Sequence, residues 1–271
     1  MQNPFDYSGR RVVITGAYSG VGAALVELLA ELGAPEVIAL DVRRPEGPIH
    51  HFIETDMGDE DAVASAAAQI QGPVHVLFNN AGIAATHPAL EVMRVNYLGL
   101  RQLSEAILER IPRGGAIANT ASIAGGQWPD HLAEVQECLA CPDRASAIEW
   151  MQAHAERVGD GYAFSKECVQ IYTMQSAKQT LARGVRTNSV CPAPIDTPLI
   201  PDFKKTMSDQ LIDWTVEQCG GEIATGMDVA KTLAFLGSDA SSYVNGVNLN
   251  VDRGFNAFMT TGQVDFSGLA G

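Results

Sequence analysis

Basic residues are scarce in this sequence. Lysine and arginine together number 18, against 32 aspartates and glutamates, for a net charge of −14 over 271 residues. Such a chain repels phosphate backbones and anionic lipid at long range, and no basic stripe offsets the repulsion. Nucleic acid and membrane surfaces are therefore excluded as partners, although a local basic pocket for one small anion is not. Long apolar runs are also missing: none reaches the roughly 18–20 residues that span a bilayer. The opening "MQNPFDYSGRR" has no apolar segment of the secretory kind. The expected location is the cytoplasm. Cysteines are few and odd in number, at 138, 141, 168, 191 and 219, which argues for reduced thiols. Cys138 and Cys141 form a lone CxxC with no second soft pair, so the expectation is helix-packing thiols and no metal.

Hydrophobic residues make up 46% of the chain, enough for a substantial core. Their periodicity alternates almost to the end. "RRVVITG", "EVIALD", "HHFIETD", "PVHVLFNNAG", "GGAIANTASIAGG", "VRTNSVCP" and "GVNLNVDRG" read as strands. Between them "GVGAALVELLAELG", "DEDAVASAAAQI", "ALEVMRVNYLGLRQLSEAILERI", "GYAFSKECVQIYTMQSAKQTLARG" and "GMDVAKTLAFLGS" read as helices. That alternation predicts an α/β fold, a doubly wound, mostly parallel sheet of Rossmann type with helices on both faces. No composition shift marks a linker, so residues 1–271 are expected to be one dinucleotide-binding catalytic domain. Two segments break the rhythm. Residues 127–160 read as a helical insertion of two short helices, roughly 131–141 and 144–157. Residues 193–224 hold Pro194, Pro198 and Pro201 and then an amphipathic stretch, and read as a substrate-loop region. Excursions near strand C-termini cover ligand sites in such sheets, or else pad the surface or meet another subunit.

"ITGAYSGVGAALVELL" places Gly16, Gly20 and Gly22 directly after a strand and before a helix. Glycine permits positive φ and close approach of a diphosphate, and the helix's unpaired N–H groups meet its charge. Asp41 ends the second strand, where a carboxylate accepts hydrogen bonds from adenosine ribose hydroxyls and repels a 2′-phosphate. NAD is thus favoured over NADP, with Arg43 and Arg44 as the opposing signal. Asp56, followed by Met57, either meets the adenine amino group or caps the next helix. Asn79, Asn80, Ala81 and Gly82 end the fourth strand and either leave room for the cofactor or simply make a turn.

In chain order the sequence carries TGxxxGxG, NNAG, Ser122 after the fifth strand, Tyr162 and Lys166 as YxxxK, and a proline-led loop ending in Thr-Pro. This set resembles the short-chain dehydrogenase/reductase family over about residues 10–253. The insertion and the run "GYAFSK…RGVRTNSVCPAPIDTPL" resemble, within it, the bacterial 3α-hydroxysteroid dehydrogenase/carbonyl reductase group. The resemblance implies that Tyr162 is the general acid/base, that Lys166 lowers its pKa and holds the nicotinamide ribose, that Ser122 binds the substrate oxygen, and that Asn96 holds a water. It extends cofactor contact to Ser19 and Val21 in the glycine loop, to Met57, and to Ile195 and Thr197 at the carboxamide. It also implies an oligomer, a homodimer or homotetramer.

Elementary electrostatics can be set beside that implication. Residues i and i+4 share a helix face. A free phenol has a pKa near 10, and an ammonium about 4 Å away at an effective dielectric near 20 contributes about 4 kcal/mol, an upper bound of about 3 pKa units. That would bring Tyr162 towards neutrality. Two departures from the family pattern stand out. Ala193 replaces a usual glycine in "CPAPIDTP", which strains the loop if the backbone there has positive φ, and Arg253 follows the last strand. The tail 255–271 is apolar enough to close the cleft, cross to a neighbour or remain unstructured.

The functional expectation is hydride transfer between NAD and a hydrophobic secondary alcohol or ketone, with a hydroxysteroid among the candidates. Trp128, Met151, Ile195, Leu199, Ile200, Met207, Leu211 and Trp214 either line the cleft or bury the helices of the two excursions. The alternatives are an NADPH-dependent carbonyl reductase and a non-catalytic dinucleotide-binding sensor or scaffold.

Overall fold

The structure is a computed structural model that describes residues 3–269. Residues 1–2, and the final two residues of the expected tail, lie outside the described residues.

The chain runs β1 (Arg11–Thr15), α1 (Gly20–Glu31), β2 (Glu36–Asp41), β3 (His51–Glu54), α2 (Glu60–Gln69), β4 (Val76–Asn79), α3 (Ala89–Met93), a π-helical turn (Arg94–Gly99), α4 (Leu100–Ile107) and β5 (Ala116–Thr120). It continues with α5 (Leu132–Ala140), α6 (Arg144–Ala153), α7 (Ala155–Val158), α8 (Tyr162–Leu181), β6 (Arg186–Pro192), β7 (Ile195–Asp196), α9 (Ile200–Met207), α10 (Asp209–Gln218), β8 (Ala224–Thr225), α11 (Gly226–Gly237), β9 (Asn248–Val251) and α12 (Phe255–Thr260).

Seven strands form one parallel sheet in the order β3-β2-β1-β4-β5-β6-β9. β4 and β6 are buried along their whole length, and β1 nearly so, because helices cover both faces. One face packs α1 and α11 around Leu25, Leu29, Phe78 and Leu233; the other packs α2 and α4 around Val63, Leu77, Leu103 and Ile107. Strand order reverses between β1 and β4, which opens a crevice at their C-terminal ends, the usual ligand position in such sheets.

The long helix expected over 89–111 forms as a continuous helical run of α3, a π-helical turn, α4 and a closing 3₁₀ turn at 108–110. Two contacts accompany the widened turn. Gly99 lies so close to the chain after β3 that a Cβ there would sit 2.1 Å from the Met57 carbonyl oxygen. Asn96 turns inward to bind the backbone of Ile83. A single wide turn lets the helix meet both.

The insertion forms α5, α6 and α7 and packs on α8 through Val135, Cys138, Met151 and Phe164. Asp143 and Ser146 form a reciprocal cap at the start of α6, which separates it from α5 at the "CPD" turn. The tail runs back over α10: the Trp214 indole N–H donates to the Asp265 carbonyl at 2.7 Å, and its ring stacks on Phe266 and meets Phe255 edge-on. No helix among the described residues is long and apolar enough to cross a membrane.

Candidate active site

The crevice is stitched together by one hydroxyl. Thr15 Oγ1, at the end of β1, accepts from the N–H groups of Asn80 and Ala81, both at 3.0 Å, at the end of β4. Gly16 is left-handed (φ +66°), and a Cβ there would lie 2.6 Å from Ala81 Cα. A Cβ on Gly22 would lie 1.9 Å from the Gly16 oxygen, which already accepts from Asn80 Nδ2 at 3.0 Å. Gly20, also left-handed (φ +58°), begins α1, and the Thr197 side chain packs against it. Val21 is buried behind them. Ser19 is the N-cap, yet its side chain makes no capping hydrogen bond. The first-turn amides of α1 are thus left without a side-chain partner, at the positive end of a helix, beside a backbone only glycine can adopt. That fits a dinucleotide diphosphate.

Asp41 sits at the rim of the loop. Its Oδ2 accepts from Tyr18 N–H at 2.9 Å and its Oδ1 from Arg43 N–H at 3.1 Å. The Arg43 guanidinium lies over the Tyr18 ring, 4.0 Å from its centre, and Arg44 lies over Phe52 at 5.8 Å. Aromatic rings hold both arginines, and nothing in their sequence spacing announces this. Asp56 does not cap α2; Asp59 does, accepting from Asp61 and Ala62. Asp56 instead accepts from Gly58 N–H at 2.7 Å in the turn after β3, with Met57 buried beside it.

The two asparagines ending β4 have separate duties. Asn80 faces the glycine loop. Asn79 points into the core and donates to Ser104 Oγ and to Asn119 Oδ1, each at 2.8 Å; Asn119 in turn donates to Thr173 Oγ1 at 2.9 Å. This ladder ties β4, β5, α4 and α8 together.

The second half of the site lies where β5 ends and α8 begins. Gly161 is left-handed (φ +87°), and a Cβ there would meet the Ala89 oxygen at 2.5 Å, so the residue before Tyr162 has to be glycine. Tyr162 N–H donates to Asp160 Oδ1 at 2.9 Å, which starts the helix. Lys166 follows one turn later, 5% exposed, and its Nζ donates to the Thr120 carbonyl at 3.0 Å. Ser122 leaves the same strand end; its Oγ accepts from Ala124 N–H at 3.1 Å, and its carbonyl accepts from Gln170 Nε2 at 2.9 Å. Asn96 Oδ1 accepts from Ile83 N–H at 2.8 Å, while its Nδ2 donates to the Ile83 carbonyl at 3.0 Å and to Ser165 Oγ at 3.2 Å. A Cβ on Gly82 would lie 3.3 Å from Asn96 Oδ1 and 3.6 Å from Lys166 Nζ, so Gly82, Asn96 and Lys166 converge on one point.

In the protein's own electrostatics the lysine does not by itself bring the tyrosine near neutrality, and Lys166 shifts as well. Burial pushes the Tyr162 phenol up to about 12, against a Ser122 hydrogen bond that pulls it down. Burial pushes Lys166 down to about 8. The ammonium lies 5.7 Å from the centre of the Tyr162 ring and is engaged with Thr120. Desolvation of the phenolate is the largest influence on the phenol, ahead of the Ser122 hydrogen bond.

No sequence motif singles out Gln170 or Phe203. Gln170 is four residues beyond Lys166 on the same helix face, and that spacing would have flagged it. Phe203, on α9, meets the Tyr162 ring edge-on at 5.0 Å, and no spacing rule reaches it. Ile195 opens the short β7–β8 pairing with Ala224. Ala193 causes no strain: it is not among the positive-φ residues, and its N–H donates to Val251. Arg253 is left-handed (φ +48°) and pairs with Glu222 at 2.7 Å. Of the apolar residues in the two excursions, Met151 and Trp128 pack into the insertion core and Trp214 holds the tail. Cys138 is buried with them, and no metal-competent group of three ligands occurs among the described residues. A cavity of about 530 Å³ opens behind the 193–194 loop between α10 and the end of β9; its lining includes none of Ser122, Tyr162 or Lys166, so it is not the reacting cleft.

Residues 10–133 match the family described as short chain dehydrogenase, and residues 132–256 match the one described as Enoyl-(Acyl carrier protein) reductase. Cis-4-hydroxycyclohexanecarboxylate dehydrogenase of Sinomonas cyclohexanicum is 33% identical over 268 residues, covering 93% of this chain and 98% of the relative. The chain belongs to the short-chain dehydrogenase/reductase family. Coniferyl-alcohol dehydrogenase of a Pseudomonas species is 29% identical over 248 residues, covering 91% of this chain and 96% of that relative. The crystal structure of a 3-alpha-hydroxysteroid dehydrogenase from a Pseudomonas species, complexed with NADH, superposes with a TM-score of 0.78 at 30% identity, covering 92% of this chain and 98% of that one. As a member of the family the protein is an oxidoreductase that acts on CH–OH groups with NAD(P). Known members differ in substrate.

Proposed function

We propose that the protein interconverts a hydrophobic secondary alcohol and its ketone with NAD, through Ser122, Tyr162, Lys166 and Asn96. The observation that carries this reading is the convergence of these side chains beside the glycine loop, at the C-terminal ends of β4 and β5. When bound, the nicotinamide supplies the hydride acceptor, and the cationic charge of its oxidised form lowers the Tyr162 pKa that burial has raised. In the oxidative direction Tyr162, as its phenolate, takes the hydroxyl proton, the O–H electron pair forms the C=O bond, and the carbinol hydrogen leaves with its own electron pair. Ser122 holds the reacting oxygen beside the phenol. Lys166 holds the ribose and the Thr120 carbonyl together, and Asn96, pinned to the Ile83 backbone, holds a water that links Lys166 to solvent. Gly16, Ser19, Gly20, Val21 and Gly22 cradle the diphosphate; Asp41 reads the ribose; Asp56, Met57, Asn80, Ala81 and Gly82 flank the adenosine and nicotinamide ribose; and Ile195 and Thr197 face the carboxamide.

The NADPH-dependent carbonyl reductase reading is favoured by one observation, the Arg43 guanidinium held on Tyr18 beside Asp41. The Asp41 carboxylate, held beside the glycine loop by the Tyr18 amide, would repel a 2′-phosphate, and its charge supports NAD. Residues 1–271 then act as one catalytic domain in the cytoplasm, as a homodimer or homotetramer whose contacts avoid the α4 and α8 faces covered by the insertion. The test is Tyr162→Phe. NAD-coupled oxidation of cyclohexanol, read by absorbance of the reduced cofactor, should fall by about 10²–10⁴-fold while NADH binding, read by fluorescence, is retained. Unchanged turnover in the variant, or no turnover of any alcohol or ketone by the parent protein, would favour the sensor or scaffold alternative.

A further inference from the structure

The substrate-loop helix α9 carries no fully buried residue, yet it is held in place over the site. Lys204 bridges to Asp209 and Asp213 of α10 at 3.4 and 2.9 Å, and α10 is itself pinned to the tail through Trp214. The charged side chains of α9 serve these and other surface pairs: Lys205 meets Asp202 at 3.0 Å. The half-buried Phe203 turns the other way, and its ring meets the Tyr162 ring at 5.0 Å with a 63° tilt. Edge-to-face geometry of this kind is attractive in its own right.

We propose that Phe203 is a specificity-determining residue that selects alcohols whose carbinol carbon lies in a ring or next to one and rejects open-chain polyols. This rests on the reading of Tyr162 given above. A carbinol oxygen within hydrogen-bond reach of both Tyr162 and Ser122 forces a substituent of the same carbon past the rim of the Tyr162 ring, on the side where Phe203 lies. A flat or alicyclic ring there extends the edge-to-face packing. A chain of hydroxyls placed against a phenyl ring gives up water without gaining a partner, which costs about 10–100-fold in binding for each stranded hydroxyl.

The test compares the parent protein with Phe203→Ser and Phe203→Tyr on cyclohexanol, α-methylbenzyl alcohol and sorbitol, with NAD. The parent should prefer both ring alcohols. Phe203→Ser should lose about 10-fold or more in kcat/KM for them, mainly through KM, with sorbitol unchanged or improved; Phe203→Tyr should restore the preference. Binding of the same alcohols to the NAD complex of Tyr162→Phe, with and without Phe203→Ser, reads recognition without turnover. Loss of turnover by the parent with ring-selective binding intact would sink the catalytic reading and leave this one standing. Equal losses for ring and chain alcohols, or no effect of Phe203→Ser on either binding or KM, would overturn the selectivity proposal.

Discussion

The Lys166 ammonium donates to the Thr120 carbonyl at 3.0 Å, two residues before Ser122 on the same strand exit. The contact fixes where α8 meets β5, and it does so with a charge that is nearly out of water. Removing that charge should stabilise the protein. With its folded pKa near 8, below the ordinary 10.5, Lys166 binds its proton less tightly in the folded chain. Its contribution to stability is therefore present above pH 10.5 and lost as pH falls through about 8. Lys166→Met should raise the melting temperature at pH 7 by about 2–4 °C for each kcal/mol relieved, and the difference should close as pH approaches 10.5. Thermal melts across that range check it; a constant difference would show that burial of the ammonium is not the cause. Oxidation activity should disappear in the same variant.

A methyl group at Gly22 would stand 1.9 Å from the Gly16 oxygen, where nothing flexible can yield. Gly22→Ala should push the first turn of α1 away from the loop and weaken NADH binding by at least about ten-fold, with a lower melting temperature. Fluorescence titration against the parent protein measures the first effect and calorimetry the second. Binding at parental strength would mean that the diphosphate does not sit on this turn.

Asp41 accepts from the Tyr18 amide, which sets its carboxylate at the mouth of the glycine loop with Arg43 alongside. Replacing it by alanine removes a like charge from the position a 2′-phosphate would take and leaves the arginine in place. The ratio of NADPH to NADH dissociation constants should fall by about ten-fold or more. If parallel titrations return the parental ratio, Asp41 is only a turn residue.

Glu167 is 2% exposed and shares its carboxylate between His131 Nδ1, at 3.0 Å, and Arg157. These partners come from the start and end of the insertion and grip the residue next to Lys166. Arg157→Met strands a buried carboxylate and should cost about 3 kcal/mol in urea denaturation. Arg157 and Glu167 both changed to methionine should recover much of that loss. Equal stability of the single variant and the parent would mean the insertion is held by its apolar contacts alone.

Much of this protein is legible in its residues. The order of strands and helices, the glycine loop, Asp41 and the pairing of Tyr162 with Lys166 are local patterns: each is written within one turn or one strand, where side-chain period and backbone freedom decide the outcome. The insertion's two main helices were equally local, set by the "CPD" break. The tertiary structure alone decided what comes together from afar. The wide turn at Asn96 accompanies the passage of Gly99 by the Met57 carbonyl, a contact 42 residues apart in sequence. The raised pKa of Tyr162 comes from burial that no spacing encodes. Trp214 serves the tail rather than the cleft, and Phe203 reaches the phenol, because packing of α9 and α10 depends on segments that are close only in the folded chain.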